Sequence, residues 1–435
     1  MTKSLKLSLL ALFLFQIIIS CGFELAHDEA YYWLYSKHLD WGYFDHPPFV
    51  GVVIKLFSFL GHSEFSVRFG FILLQMASLL ILLKLTSNRM MSFILFVSFP
   101  LASFTGLLAL PDIPLLFMTA VYCYFLKEFL EKDSLKNAGL LGLTIALLFY
   151  AKYHGVLLVF FTILAVPKLL TRKSFYAVAI VALICFMPHL LWQYEHDFST
   201  LRYHFIERPS SSFSFKRSLE YIGLQIGLAG VFAGPVLWWI VIKTKTTTHF
   251  DRAMKFISVG TVLFFLVSSF SKRVEANWTI FLAVPLIYLV ANSEIWTRKW
   301  AKTLLYVSFG IVLVARILFV LPVEMVSIKR LKEFNGWKNW AQEVHKICDA
   351  TPLLANSYQI ASKLSFYLDQ EISALNYHSR KNQFDYWKFE RKIPTKEVCY
   401  ITDSREFGGI EILTPEGKTL RVIKNQGLES LLQLK

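Results

Sequence analysis

Apolar residues in this chain come in long unbroken runs, at 5–23, 66–85, 90–110, 112–130, 137–151, 155–170, 174–192, 219–242, 253–270, 274–291 and 303–321. A helix needs roughly 20 such residues to cross the hydrocarbon of a bilayer. The pattern therefore predicts an α-helical polytopic membrane protein with about eleven transmembrane helices, of which 137–151 and 155–170 are the shortest. Two larger polar blocks interrupt it, 24–65 and the stretch after Pro322. In the first, 28–39 and 48–60 are too short to span. They read as amphipathic helices lying in the interface, with Tyr31, Tyr32, Trp33 and Trp41 at headgroup depth. In the second, β-rich runs (EISALNY, EVCYITD, TLRVIK) alternate with helical stretches from Trp337 to Cys348 and from Ile360 to Leu368. That predicts a small soluble α/β domain over 323–435 behind a membrane domain over 1–322.

Composition agrees, with 55% hydrophobic and only 17% charged residues. The net charge of +14 raises the question of nucleic acid. Yet Lys and Arg form no single stripe. They gather in short clusters between apolar runs: Lys84 and Arg89; Lys127, Lys132 and Lys136; Lys168, Arg172 and Lys173; Lys243, Lys245, Arg252 and Lys255; Arg298, Lys299 and Lys302. Cytoplasmic loops of membrane proteins are marked in this way, so the charge reports topology and not a nucleic-acid partner. With the N-terminus inside, the outer connections are 24–65, the Pro111-Asp112 corner, the Lys152-Tyr153-His154 corner, 193–218, 271–276 and the C-terminal block. All the chemically suggestive residues then share one side. The start, through Ile19-Ser20-Cys21, also fits a lipoprotein signal, but the spans that follow make an uncleaved first helix its natural reading. Cys348 and Cys399 lie in the polar block, where a disulfide between them is one option; no metal spacing or disulfide framework is present.

Residues 24–49, ELAHDEAYYWLYSKHLDWGYFDHPPF, hold more acids, imidazoles and rings than a turn between helices requires. Asp28 and Glu29 open the first short helix, where the helix N-terminus favours a carboxylate. Neighbours on a helix point about 100° apart, so the two acids cannot share one task. Tyr31, Tyr32 and Tyr35 continue the face of Asp28, and a carboxylate beside an aromatic platform suits binding a sugar and deprotonating its hydroxyl. The plain alternative is a capping acid with an aromatic belt. Asp45-His46-Pro47-Pro48 is a turn stiffened by its prolines, holding two titratable groups at the rim or simply starting the second helix. Asp112, between Pro111 and Pro114, is a turn acid or a site acid.

Lys152-Tyr153-His154 and Lys272-Arg273 put cations on the outer side, where orientation does not need them and an anion such as phosphate would. Glu275, Asn277 and Trp278 follow at the same depth. Arg202, His204 and Arg208 read as a solvated loop face. His27, Asp28, Asp45 and His46 form an alternative set of mixed metal ligands, without dense spacing such as HExxH. The spans themselves read as nearly charge-free, Arg316 excepted, which is near enough to the outer end to snorkel.

Together these residues resemble the GT-C superfamily of integral membrane glycosyltransferases, in the branch related to the protein O-mannosyltransferases and the aminoarabinose transferase of lipid A. The resemblance rests on Asp28-Glu29, Asp45-His46-Pro47-Pro48, Leu110-Pro111-Asp112-Ile113-Pro114, Ala151-Lys152-Tyr153-His154-Gly155 and Arg273-Val274-Glu275-Ala276-Asn277-Trp278, and covers about residues 1–300. It implies that Asp28 deprotonates the incoming acceptor, with Glu29 and Asp45 as the further catalytic acids. Relatives often carry Lys before the proline of the turn, holding the lipid phosphate. Here the position is His46, only partly cationic near neutral pH, and Lys152 and Arg273 supply fixed charge instead. Tyr31, Tyr32, Asp112, Tyr153, His154, Glu275, Asn277 and Trp278 become substrate-binding residues. The implied activity is inverting transfer of one sugar from a polyprenyl phosphate donor to lipid A, a surface glycan or a protein, at the periplasmic face of a bacterial inner membrane, with no cofactor required. A transporter or flippase is the competing class; its ionisable groups would sit near the midplane on broken helices.

Overall fold

The computed structural model describes residues 1–203, 212–318, 329–349, 351–377 and 379–433. Helix α1 (Lys3–Ser20) leads to the two short helices of the first polar block, α2 (His27–Lys37) and α3 (Phe49–Leu56), and then to the long α4 (Glu64–Leu85). The membrane body continues with α5 (Arg89–Ser98), α6 (Pro100–Thr105), α7 (Asp112–Glu131), α8 (Leu135–Ala151), α9 (Gly155–Ala165) and α10 (Lys173–Glu195). After α11 (Ser199–Arg202) it closes with α12 (Phe215–Leu228), α13 (Gly234–Lys243), α14 (His249–Ser269), α15 (Ala283–Val290) and α16 (Lys299–Leu318).

Among the described residues, 5 of these helices, α1, α4, α7, α10 and α16, are long and apolar enough to cross a bilayer by length and composition. The other expected spans take a different form. Helix α14 is long but opens on Asp251, Arg252 and Lys255. Segment 90–110 is split at Pro100, whose ring disfavours a helical residue before it, so α5 stops at Ser98. Segment 219–242 turns at Gly230, where φ is 144° and a side chain would be strained. Segment 274–291 begins as a 3₁₀ helix, Ala276–Leu282, before α15. Segment 137–151 falls within α8, whose 17 residues start at Leu135, while 155–170 yields the shorter α9, which ends at Ala165. The expected boundary at residue 322, with His204 and Arg208 of the 193–218 loop, lies outside the described residues.

The C-terminal unit runs α17 (Trp337–Cys348), β1 (Leu353–Ala355), α18 (Tyr358–Leu368), β2 (Ser373–Ala374), α19 (Phe384–Trp387), β3 (Glu397–Thr402), β4 (Ile410–Leu413), β5 (Thr419–Gly427) and α20 (Leu428–Leu432). Its sheet has the order β2-β1-β3-β5-β4. Helix α18 is the crossover that lets β1 and β2 run parallel, while β5 pairs antiparallel with both β3 and β4. A disulfide between Cys348 and Cys399 ties the end of α17 to β3.

The main departure from expectation is α2. Its rings are not open to headgroups: Tyr31, Tyr32, Trp33 and Tyr35 are all buried within the protein, and only Trp41 of the expected belt stays outside, 56% exposed. The rings are the floor on which the C-terminal domain stands. Tyr31 stacks on Phe384 at 6.0 Å and Trp33 meets Phe366 edge-on at 5.2 Å. An aromatic face built to be covered by protein has the same local signature as one built for headgroups. Helix α3 is amphipathic as expected, with Val50, Val53 and Ile54 buried and Val52 and Leu56 outward.

Two buried cations lock this arrangement. Arg68, in the first turns of α4, donates from Nε and Nη2 to Glu29 at 2.8 and 2.6 Å, and at 2.8 Å to the carbonyls of Ser20, Phe23 and Glu24. All five donors of the guanidinium are used. Glu29 also accepts the N–H groups of Ala26 and Ala109. Lys363 of α18 is buried as well, donating to the Leu25 carbonyl and, at 2.9 Å, to that of Glu333. Burial pushes its ammonium down to about 8, although nearby Glu333 and Glu24 oppose the shift. Glu24 in turn receives the N–H groups of Trp337 and Lys338 at the start of α17, where a carboxylate complements the helix dipole.

Arg68→Met strands a buried Glu29 carboxylate and should cost about 3–5 kcal/mol, read as a lower melting temperature in detergent. Arg68→Lys should recover little of it, because an ammonium brings three donors to five contacts. A wild-type melting temperature for Arg68→Met would show that the knot does not carry the fold.

Candidate functional site

Asp28 and Asp45 lie near enough for each carboxylate to feel the other's charge. Asp28 sits in the first turn of α2, partly buried, with the hydroxyl of Tyr358 donating to Oδ1 at 3.3 Å. Burial, then the neighbouring carboxylates of Glu333 and Asp45, push its carboxyl up to about 6. Asp45 receives the Tyr31 hydroxyl at 2.8 Å and Nη1 of Arg380 at 2.7 Å. Tyr31 accepts the Gln383 N–H in return. Among the described residues, Glu29 pairs with Arg68, Asp45 with Arg380 and Asp112 with Lys152, while no Lys or Arg forms an ion pair with Asp28. A carboxylate left without a cation is the more basic one, which is what a general base near neutral pH requires.

Glu29 is therefore removed from the expected catalytic set. Both its oxygens are consumed by Arg68 and two backbone N–H groups, and its side chain has no solvent exposure. The 100° step between adjacent helical residues sends Glu29 into the body and leaves Asp28 facing the C-terminal domain.

The turn that carries Asp45 and His46 is held from outside by the end of α10. His189 points Nδ1 at the Trp41 carbonyl, 2.7 Å away, so that nitrogen carries the proton and Nε2 accepts from the Tyr153 hydroxyl at 2.9 Å. Trp192 donates to Asp40 at 2.9 Å, and Thr200 to the Tyr43 carbonyl at 3.2 Å. A Cβ at Gly42 would run into the Trp192 ring, so the loop and α10 touch through a glycine. His46 lies beside Tyr32, ring centres 5.7 Å apart. Tyr153 thus acts on the turn through His189 and Gln193, which donates to its hydroxyl at 2.8 Å.

A second polar cluster lies along the 106–112 connection. Lys152 donates to Asp112 at 2.9 Å with both side chains buried, and Asn277 donates to both Asp112 oxygens at 3.2 and 3.1 Å. Lys152 is accordingly not the uncompensated cation expected for a phosphate. Desolvation makes a lone charge there costly, and Asp112 cancels it. Arg273 is largely exposed and pairs with Glu275 at 3.4 Å, while His154 packs on Trp278 at 5.1 Å. The alternative metal set does not assemble: among the described residues no group of three His, Cys, Asp or Glu is placed to hold an ion, and His27 turns away to Glu416 at 3.1 Å.

Arg68, Arg380, Tyr358, Glu333 and His189 were not expected at the site. Arg68 had a signal, a cation inside an apolar run that follows two acids. Arg380 had none beyond its place in a basic loop.

The profile of the dolichyl-phosphate-mannose-protein mannosyltransferase family matches residues 45–192. The lipid A galacturonosyltransferase RgtD of Rhizobium johnstonii is 27% identical over 337 residues, covering 71% of this chain and 68% of that protein. In fold, the chain is similar to ArnT of Cupriavidus metallidurans, with a TM-score of 0.70 in the apo state and 0.68 in the form bound to undecaprenyl phosphate, at 13% identity and 98% coverage of this chain in both. ArnT itself is covered to 98% and 99% in those two structures. The archaeal oligosaccharyltransferase AglB of Archaeoglobus fulgidus, in complex with an inhibitory peptide and a dolichol-phosphate, matches with a TM-score of 0.50 at 11% identity, over 98% of this chain and 75% of that one.

Lys152→Met leaves Asp112 buried without its counter-charge and should destabilise by about 3–5 kcal/mol, whereas adding Asp112→Leu should return most of that. Thermal unfolding of the single and double variants measures the coupling. Full stability of Lys152→Met alone would mean that Asp112 does not depend on it.

Proposed function

We propose that this chain is a GT-C membrane glycosyltransferase related to ArnT and the protein O-mannosyltransferases, and that it moves one monosaccharide from a polyprenyl phosphate donor to lipid A or a related envelope acceptor, with inversion. The competing reading as a transporter or flippase gives way. The observation that carries the proposal is Asp28: a carboxylate raised to about 6, with no Lys or Arg paired to it among the described residues, bonded by Tyr358 and beside a second acid, Asp45.

In the proposed step Asp28 takes the proton of the acceptor hydroxyl as its oxygen attacks the anomeric carbon. The bond from that carbon to the phosphate oxygen breaks on the opposite face, and polyprenyl phosphate leaves with the electron pair. One displacement inverts the centre and needs one base and one stabilised leaving group. Asp45, fixed by Tyr31 and Arg380, orients the sugar or acceptor. Of the three expected phosphate cations, Lys152 is neutralised by Asp112, so His46 and Arg273 remain candidates, with Tyr153, His154, Asn277 and Trp278 as the wall. The AglB and ArnT structures that hold lipid phosphates, and a curated relative that acts on lipid A, support both ends of the transfer. A disulfide in the C-terminal domain suits an oxidising compartment, which supports the periplasmic side of a bacterial inner membrane.

The base must be deprotonated to act, so the rate should rise with pH through about 6 and level off above about 7. Asp28→Asn should lose at least about a hundredfold in transfer to lipid A at every pH. It should be at least as heat-stable as wild type near pH 8, because a buried carboxylate with a raised pKa destabilises the fold once ionised. Product formation followed by mass spectrometry and melting curves of the same samples test this. Wild-type turnover by Asp28→Asn would remove Asp28 as the base.

A further inference from the structure

The C-terminal domain reaches into the acid pair with two side chains, Tyr358 on Asp28 and Arg380 on Asp45. Arg380, in the connection between β2 and α19, is held from several sides. Its Nη1 bonds Asp45, and its guanidinium lies 5.3 Å from the ring centre of Tyr203 and 5.9 Å from that of Tyr358. A guanidinium steadied by two rings and a carboxylate is fixed in direction and keeps its charge. Even so, 43% of the side chain remains exposed, where the carboxylate it faces is only 11% exposed.

Asp45 does not by itself explain this residue, since Tyr31 already donates to its other oxygen. Of the three cations expected on an anion, Lys152 is held in a buried pair with Asp112, Arg273 lies beside Glu275 and His46 packs beside Tyr32, and Arg380 adds a fourth candidate. We propose that Arg380 is a substrate-binding residue: one edge of its fork is anchored on Asp45, and the exposed part binds an anionic oxygen group of the substrate next to Asp28. The proposal rests on the glycosyl-transfer reading. Phosphate and carboxylate oxygens both match the planar fork. They come either from the donor's phosphate or from an anionic group of the acceptor. The domain then supplies part of the recognition and is more than a cover.

Arg380→Gln and Arg380→Lys, compared with wild type, test this in three measurements: melting temperature, binding of undecaprenyl phosphate alone, and KM for lipid A. The expected result is an unchanged melting temperature with a loss of tenfold or more in one of the two binding readouts for both variants, because lysine keeps the charge but not the fork. Weaker undecaprenyl phosphate binding assigns the anion to the donor. Unchanged undecaprenyl phosphate binding with a raised KM for lipid A assigns it to the acceptor. The proposal is overturned if both readouts stay at wild type in both variants, or if Arg380→Lys restores everything Arg380→Gln loses, since Arg380 would then only clamp Asp45. A wild-type protein that neither binds undecaprenyl phosphate nor transfers would sink the functional reading, and this proposal with it.

Discussion

A buried guanidinium is costly unless its donors are met, and all five donors of Arg68 are met by residues 20–29, whose Glu29 ties in a further stretch of chain. Glu29 brings the first turn of α2, the carbonyls of Ser20, Phe23 and Glu24 bring the end of α1 and its exit, and through Glu29 the Ala109 N–H brings the connection into α7. No member can leave without leaving another unpaired in a low-dielectric setting, so the set forms as a unit. Asp28 and Asp112 are placed by that unit, one residue from Glu29 and three from Ala109. Neither acid would have a defined direction on a freely hinged loop.

Pairing elsewhere at the rim sharpens the chemistry of the one acid left out of it. Glu29, Asp45 and Asp112 each have a cation within 3 Å, while Asp28 has a phenol hydroxyl at 3.3 Å and two carboxylates nearby. Three of these four carboxylates thereby have their charge offset by a cation, and Asp28 is the one that holds its proton more tightly. The division follows from the partners alone, as for any pair of like acids in unlike surroundings.

The membrane character, the polar first loop and the C-terminal domain were legible because each is written in local composition. Trp337–Cys348 is found as read, and α18 starts two residues before the expected Ile360. Strands β1 and β4 went unseen, being too short for alternation to show. Broken spans were misread as continuous because a run of apolar residues does not record where Pro100 or Gly230 bends it. At the site, Asp28, Asp45 and Asp112 carry local signatures that the sequence shows, whereas Arg380 and Tyr358, which bond two of them, carry none. Arg380 lies 335 positions from Asp45 and Tyr358 lies 330 from Asp28, and no periodicity links residues so far apart. For the same reason Lys152 looked like a free cation and Glu29 like a free acid. A single residue shows its charge but not what cancels it.

The clamp between Lys363 and Leu25 has a consequence for how this protein is made. The two partners are 338 residues apart, near opposite ends of the chain. Ribosomes release the N-terminal end first, so the segment with Asp28 and Asp45 is laid down long before the residues that will cover it exist. Until the C-terminal domain is made, that segment's acids and rings lack the partners Tyr358, Phe366, Arg380 and Phe384. A chain halted before α18 would hold the membrane helices without Tyr358 on Asp28 or Arg380 on Asp45.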